Sequence, residues 1–394
     1  MAGRIISLLI SIGLIVGGLS GQLVLRGTNS SIGLIIVGAI ILLLNILGML
    51  LPDNLLIVLR KVLIIVPILV AVALIVSLII IKTKTFDDTR QYTKFYSIFV
   101  YDDVVYIVGN DKSEQGFSHA VLWKNGIAHY LSDGSSYHSA NSVFVCDDNV
   151  YIVGHDDTGP VLWINGVAQS ISGGTSSIYV TGNDIYIAGT THESNKNKLA
   201  TLWHNGNLTI LSDENGMAEA VSVFVFNGDV YVAGYVKNDK DIFVATLWVN
   251  GIAQNLSDGD RNAFTNSVFV YDNVVYVAGR ERTSEKGTSV AMLWVNDDAI
   301  SLTDGKNWAG ATAVFRTEDH VYVAGEDGDP LTLWTYTMNA GVVQNLTDGN
   351  HARASKIESI FVADNDVYIV GNLYKDNGTI GTFWKNGVVQ NLVQ

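Results

Sequence analysis

The stretch SVFVYDNVVYVAG, from Ser267 to Gly279, decides the fold because the chain contains seven versions of it. The other six are Ser97–Gly109, Ser142–Gly154, Ser177–Gly189, Ser222–Gly234, Ala313–Gly325 and Ser359–Gly371. A second motif, in most copies Leu-Trp-x-Asn-Gly, follows each version and is centred on Trp123, Trp163, Trp203, Trp248, Trp294, Trp334 and Trp384. Successive tryptophans are 40, 40, 45, 46, 40 and 50 residues apart. This spacing predicts a repeat fold in which each copy is one supersecondary unit.

Each repeat contains four short segments with strand-forming sequences, separated by turn residues. The Ser-Val-Phe-Val and Val-Tyr-Val-Ala-Gly segments supply two strands, the tryptophan segment a third, and a segment such as Ile252–Asn255 the fourth. Asn-Gly between the third and fourth segments favours a tight hairpin, because both central residues of such a turn need positive φ. Seven units of four antiparallel strands predict an all-β, seven-bladed β-propeller over residues 85–394. The repeated aromatic residues are then expected to pack between blades.

An aspartate recurs after the fourth segment of five repeats and could suggest calcium. These residues are Asp133, Asp213, Asp258, Asp304 and Asp348. A calcium site needs several oxygen ligands from one loop, whereas each repeat offers one such aspartate. Because Asp at the start of a turn hydrogen-bonds its own backbone, we expect these residues to stabilise turns. The sequence predicts no metal site and no cofactor.

Three long apolar runs fill residues 1–84, ahead of the repeats. They cover about residues 5–25, 32–51 and 62–81, and none contains a charged side chain. A helix of about 20 apolar residues can cross a bilayer, so the runs predict an anchor of three transmembrane helices. A cleaved signal peptide is the alternative, although its apolar region is shorter. The predicted localisation is the cell membrane, with lipid as a partner and the repeats on the outer side.

The charge distribution and the absence of motifs limit the functions that the chain could have. The net charge is -14, and residues 85–394 carry 18 basic and 37 acidic side chains, a net of -19. Such a surface repels phosphate backbones, so nucleic acid is not an expected partner. Cys146 is the single cysteine, and the eight histidines show no ligand spacing. Because no catalytic motif is present, the sequence predicts that the chain is not an enzyme.

The loops that vary most between repeats are the predicted place for binding. They join the fourth strand of one repeat to the first strand of the next, and the second strand to the third. Variable loops on a constant scaffold commonly carry function. The candidate ligand-binding residues there are Tyr92, Tyr137, His138, Arg261, Phe264, Trp308 and Arg353. The aromatic rings of this set suit stacking on sugars or apolar groups, and its other side chains add polar contacts. The alternative is that the rings pack against neighbouring loops.

The two motifs together resemble the repeats of bacterial seven-bladed β-propeller proteins, which are kelch-like in the broad sense. The resemblance covers about residues 86–394 and implies a bacterial protein of the envelope or of a secreted system. We expect a membrane-tethered, non-catalytic module that binds a carbohydrate or a protein through the variable-loop face. The alternatives are a propeller-type hydrolase or lyase acting on glycans, and a scaffold subunit of a membrane complex.

Overall fold

The computed structural model describes residues 92–112, 116–192, 198–213, 216–284, 287–337, 341–347, 355–375 and 378–390. In these residues every repeat folds into four strands. The first strands are β1 Tyr92–Tyr101, β5 Ser139–Cys146, β9 Ser177–Thr181, β13 Ala218–Phe226, β17 Ala263–Tyr271, β21 Ala309–Arg316 and β25 Lys356–Ala363. The second strands are β2 Val104–Lys112, β6 Asn149–Asp156, β10 Asp184–His192, β14 Asp229–Lys237, β18 Val274–Arg282, β22 Val321–Asp327 and β26 Asp366–Lys375.

The third and fourth strands complete each repeat. The third strands carry the repeated tryptophans and are β3 Ser118–Lys124, β7 Gly159–Ile164, β11 Lys198–His204, β15 Phe243–Val249, β19 Ser289–Val295, β23 Leu331–Tyr336 and β27 Gly378–Lys385. The fourth strands are β4 Ile127–Tyr130, β8 Val167–Ser170, β12 Asn207–Ile210, β16 Ile252–Asn255, β20 Asp298–Ser301, β24 Gly341–Asn345 and β28 Val388–Gln390. Strands within a repeat pair antiparallel with their sequence neighbours. The result is a propeller-like, all-β fold.

The strands form six hydrogen-bonded sheets, not the seven separate sheets that the repeats predict. Five sheets hold one repeat each, and the sixth holds the first and last repeats together. The two repeats merge because β1 begins before its repeat motif, and its extra residues pair in parallel with β27, Tyr92 with Thr379 and Thr93 with Ile380. The side-chain amide of Asn372 in β26 accepts a hydrogen bond from the Phe95 backbone N–H and donates one to the Phe95 backbone carbonyl. The predicted sheet count is therefore wrong.

The predicted membrane helices are the second correction to the fold class. Within the described residues there is no helix long and apolar enough to span a membrane, and every element is a strand. The three runs on which that prediction rests, residues 5–25, 32–51 and 62–81, lie outside the described residues. The described strands belong to one unit, Arg90–Gln394.

A closed ring of aromatic side chains joins the first strands of all seven repeats. Its members are Phe99, Phe144, Tyr179, Phe224, Phe269, Phe315 and Phe361, with neighbouring ring centroids 4.5–5.1 Å apart. The repeated serine adds a polar link between repeats. Ser142 Oγ, for example, accepts a hydrogen bond from the backbone N–H of Ile178 in the next repeat at 3.2 Å. These two repeated residues hold the first strands together around one axis.

The repeated tryptophans are buried between neighbouring repeats, as the sequence predicts. Trp248, for example, packs against Ala188 and Ala200 of the preceding repeat. The glycine that ends the second-strand motif is required because the backbone of the paired first strand lies too close to leave room for a side chain. A Cβ at Gly325 would overlap the backbone carbonyl of Gly310. The Asn-Gly hairpins also form as predicted, with φ of 50° at Asn250 and 82° at Gly251.

Candidate functional site

Two positions in each repeat vary where the rest of the motif is constant. The first lies directly before the repeated serine, or before Ala313 in the sixth repeat, and forms a β-bulge in six of the seven repeats, at Tyr96, Asn141, Val221, Asn266, Thr312 and Glu358. The second directly follows the repeated glycine and holds Asn110, His155, Thr190, Tyr235, Arg280, Glu326 and Asn372. A bulge re-aims a side chain and is common beside functional sites. Polar groups of different kinds therefore meet where the first and second strands pair.

A pocket of about 430 Å³ opens on the last three repeats. This volume is in the range of small-molecule sites, ~300–1,000 Å³. The lining residues come from β17, β18, β21, β22, β25, β26 and the chain that leads into β21 and β25: Asn266, Arg280, Trp308, Gly310, Thr312, Glu326, Ser355, Lys356 and Tyr374. Most lie near the start of a first strand or the end of a second strand. The pocket thus lies on the face that carries the variable loops.

Glu326 is a buried acid in the wall of this pocket, with 5% of its surface exposed. Its Oε1 accepts a hydrogen bond from the backbone N–H of Ile357 at 2.9 Å, and its Oε2 accepts one from Thr312 Oγ1 at 3.5 Å. Burial penalises the charged carboxylate and raises the pKa of Glu326 to about 7. At neutral pH the side chain can therefore hold a proton that an ordinary glutamate would have lost.

Glu358 is a second acid close enough for its charge to add to the raised pKa of Glu326. Burial also raises the pKa of Glu358, and Lys356 opposes that shift. Lys356 Nζ lies 2.7 Å from Glu358 Oε2, and Asn372 Nδ2 donates to Glu358 Oε1 at 3.1 Å. The two acids thus have different surroundings, because Glu358 has a cation and an amide donor whereas Glu326 has a backbone N–H and a hydroxyl.

Two tyrosines adjoin this pair of acids. Tyr374 lines the pocket, and burial together with the negative charge of Glu358 raises its pKa. Burial raises the pKa of Tyr96 to about 12, with smaller contributions from Glu358 and Tyr374. Both phenols therefore stay protonated at neutral pH and can donate hydrogen bonds beside the acids.

Arg280 and two aromatic rings form the opposite part of the site. The guanidinium carbon lies 4.8 Å from the Phe264 ring centroid and 5.7 Å from that of Trp308. Phe264 also contacts Tyr235 and Phe243, with ring centroids 5.0 Å and 5.3 Å away. Trp308 is 48% exposed, so the indole can still meet a ligand. The arrangement provides a cation between rings and one open aromatic surface.

The structure places six of the seven predicted site residues, and their surroundings differ. Trp308 lines the pocket, whereas Phe264 does not line it but contacts Arg280, which does. Arg261 Nη2 lies 2.6 Å from Glu281 Oε1 in an ion pair that does not line the pocket. Tyr92 lies beneath Lys112 Nζ, which is 3.8 Å from its ring centroid. None of these contacts tests a role in binding.

Two other predicted residues, Tyr137 and His138, do not line the pocket. Tyr137 is 71% exposed and meets Phe117 edge to face, with centroids 5.2 Å apart. His138 is buried, and its Nε2 lies 3.6 Å from Asp157 Oδ1. Arg353 lies outside the described residues. The predicted set is therefore divided between the pocket and separate loop contacts.

Sequence reasoning missed Arg280, Glu326, Glu358, Lys356 and Tyr374. The available signal was the break in the repeat, since Arg280 and Glu326 directly follow the repeated glycine and Glu358 directly precedes the repeated serine. The choice of aromatic residues in the variable loops bypassed these positions. As for metals, no group of three or more His, Cys, Asp or Glu side chains that could hold an ion occurs in the described part of the chain.

Comparison with known proteins identifies the fold. No family model and no curated protein matches the chain. It is similar in structure to Pyrococcus horikoshii acylaminoacyl peptidase, with a TM-score of 0.50 and 11% identity over 78% of this chain and 53% of that chain. It is also similar to a Trypanosoma rangeli sialidase in complex with sialic acid (TM-score 0.41, 9% identity, 74% and 54% covered) and to phage phi92 endosialidase (0.45, 12%, 78% and 69%).

These comparisons correct the prediction that the chain is not an enzyme. The acylaminoacyl peptidase that it resembles is an enzyme by name, although the chain spans about half the length of that protein and the likeness shows the fold alone. The prediction rested on the absence of contiguous catalytic motifs. In a repeat fold the acidic side chains of a site come from different repeats, as Glu326 and Glu358 do, so no contiguous motif is needed.

Proposed function

We propose that the chain is a glycoside hydrolase of the propeller type, with its active site in the pocket of the last three repeats. The observation that carries this proposal is Glu326, an acid that is only 5% exposed, lies in the wall of a pocket and has a second acid near it. Glycoside hydrolysis commonly uses two carboxyl groups, one protonated and one ionised. The two acids here have the contrasting surroundings that such a division of roles needs.

Three residues in and beside the pocket, Glu326, Glu358 and Trp308, then have defined parts in the reaction. Glu326 donates its proton to the oxygen of the leaving group, which its raised pKa permits at neutral pH. Glu358, ion-paired with Lys356, supplies the negative charge that stabilises the positive charge developing on the sugar as its bond to the leaving group breaks. A water molecule then bonds to the anomeric carbon and gives up a proton to Glu326, which restores the acid. The exposed indole of Trp308 provides a surface on which a sugar ring can stack.

A site that only binds would gain little from this arrangement. Burying two acids side by side destabilises the folded chain at neutral pH, because each ionised carboxylate loses hydration and repels the other. Unfavourable groups of this kind are concentrated where acid–base chemistry needs them. For this reason we place hydrolysis ahead of binding alone. The substrate is proposed to be a glycan because exposed aromatic side chains such as Trp308 can stack on sugar rings.

The test is hydrolysis of a panel of oligosaccharides by the full chain, followed as release of reducing ends. Glu326→Gln removes the proton donor and keeps the shape, so we expect kcat to fall about 100-fold or more. Glu281→Gln is the matched control, since Glu281 is a half-buried acid of the neighbouring repeat, paired with Arg261 and outside the pocket wall. We expect that variant to stay within about twofold of the wild type.

The pH profile gives a second readout of the same assignment. Because the proton donor must be protonated, activity should decline as the pH rises through about 7, the pKa of Glu326. Failure of the wild-type chain to cleave any oligosaccharide of the panel would overturn the proposal. So would a Glu326→Gln variant as active as the wild type, or equal losses in the two variants.

A further inference from the structure

We propose that the substrate is an acidic glycan and that Arg280 binds the carboxylate of one of its sugars. This inference rests on the proposed function, since it names the class of substrate for the same pocket. It is carried by the placement of Arg280, which lines the pocket between the rings of Phe264 and Trp308.

Arg280 forms no ion pair in the described residues. Two ion pairs lie near it, Lys356 with Glu358 and Arg261 with Glu281, and neither includes Arg280. Lys356, the other cation of the pocket wall, is thus neutralised by its pair. A guanidinium stays protonated at all ordinary pH values. The charge of Glu326 favours the charged form of Arg280, but Glu326 can hold a proton at neutral pH because its pKa is raised to about 7. With Glu326 protonated, the positive charge of Arg280 is left for an anionic ligand group to balance.

The geometry suits a planar anion better than a hydroxyl. The guanidinium has N–H donors in a rigid fork that matches a carboxylate in a two-point contact. The aromatic neighbours accept no such hydrogen bonds in the plane of the fork, and they restrict its orientation. Phe264 is fixed in turn by Tyr235 and Phe243. The arginine is therefore held in place before a ligand arrives, which lowers the entropy lost on binding.

The surrounding surface makes this positive site distinctive. Residues 85–394 carry 18 basic and 37 acidic side chains, a net of -19. An acidic polysaccharide is repelled by most of such a surface, so a cation that faces a pocket favours its binding there. Trp308 lies beside that cation, so one sugar ring can stack on the indole while its carboxylate meets Arg280. Together these features favour a uronic acid or a similarly carboxylated sugar.

The test measures binding by calorimetry to the full chain carrying Glu326→Gln, which keeps the ligands intact. The probes are oligogalacturonate and oligoglucuronate, each compared with its neutral counterpart, a galacto-oligosaccharide or a gluco-oligosaccharide. We expect one acidic probe to bind about tenfold tighter than its neutral counterpart, as a charge-assisted hydrogen bond implies. The preference should shrink as salt rises from about 0.05 M to about 0.5 M.

Variants then assign the preference to Arg280. Adding Arg280→Gln should abolish it, and Arg280→Lys, which keeps the charge but loses the fork, should retain part of it. The control is Arg316→Gln, because Arg316 lies at the opposite end of its repeat, where it contacts the Tyr271 ring and the His320 carbonyl. That variant has the same charge change and should keep the full preference.

The outcomes separate this inference from the proposed function. Equal affinity for acidic and neutral probes, no binding of either, or a preference that survives Arg280→Gln would overturn the inference. Selective binding of an acidic probe by a chain whose wild type hydrolyses nothing would support the inference and reject the hydrolase. Hydrolysis of neutral glycans with no acidic preference would do the reverse.

Discussion

Replacing Asn372 by alanine should open the junction between the first and last repeats. The side chain is fully buried, and its amide makes three hydrogen bonds. Its Oδ1 accepts from Phe95 N at 2.9 Å, and its Nδ2 donates to Phe95 O at 3.0 Å and to Glu358 Oε1 at 3.1 Å. Because only two residue pairs join β1 to β27, this amide is a large part of the polar contact that closes the ring.

The expected loss follows from the groups left without partners. Alanine leaves a buried backbone N–H and a buried backbone carbonyl at Phe95, and each such group costs about 1–3 kcal/mol. We therefore expect Asn372→Ala to lower the free energy of unfolding by about 4 kcal/mol, within a range of ~2–6 kcal/mol. Asn110 is the matched control, since it follows the repeated glycine in the first repeat and accepts one longer bond, 3.3 Å, from Ala140 N. Its alanine variant should lose only about 1 kcal/mol.

Urea unfolding of the two variants measures the difference, and hydrogen exchange locates it. Amides of β1 should exchange faster in Asn372→Ala than in Asn110→Ala, while amides of β13 and β17 change little. Losses that agree within about 0.5 kcal/mol would refute the reasoning. So would slow exchange of β1 in both variants, because the first strand would then be held by something other than this amide.

Three further results follow from the packing and the buried acid. Gly325→Ala should cost about 3 kcal/mol in urea unfolding because its Cβ would overlap a backbone carbonyl, whereas Gly206→Ala, with φ of 94° but open space around it, should cost only about 1 kcal/mol. Phe224→Ala removes one member from the closed ring of seven aromatic side chains and should lower the free energy of unfolding by about 3 kcal/mol. The exposed Tyr137→Ala should lower it by almost nothing, and equal thermal shifts of the two variants would contradict this. The folded-state pKa of Glu326 is raised from 4.5 to about 7, so its contribution to stability is complete below about pH 4.5 and is lost by about pH 7, a decline of about 3 kcal/mol that Glu326→Gln should remove.

The repeat architecture could be predicted because its signals are local and recur. In most copies the serine of the motif bonds the next repeat, the tryptophan fills the space between repeats, and Asn-Gly makes the hairpin, so a copy specifies its own contacts. The merging of the first and last repeats could not be predicted this way. It depends on Tyr92 and Thr93, which precede the motif, and on Asn372, whose partner Phe95 is distant in sequence.

The site was predicted only in part because function lies where the repetition fails. At the position after the repeated glycine, seven equal residues would surround the axis with like groups, and seven buried charges of one sign would not be tolerated. The chain instead places Arg280, Glu326 and Asn372 there in three successive repeats. The bulge position supplies Asn266, Thr312 and Glu358 in the same three repeats. Opposite charges and neutral donors thus compensate one another between repeats, which permits one charged pocket inside a scaffold of equal parts.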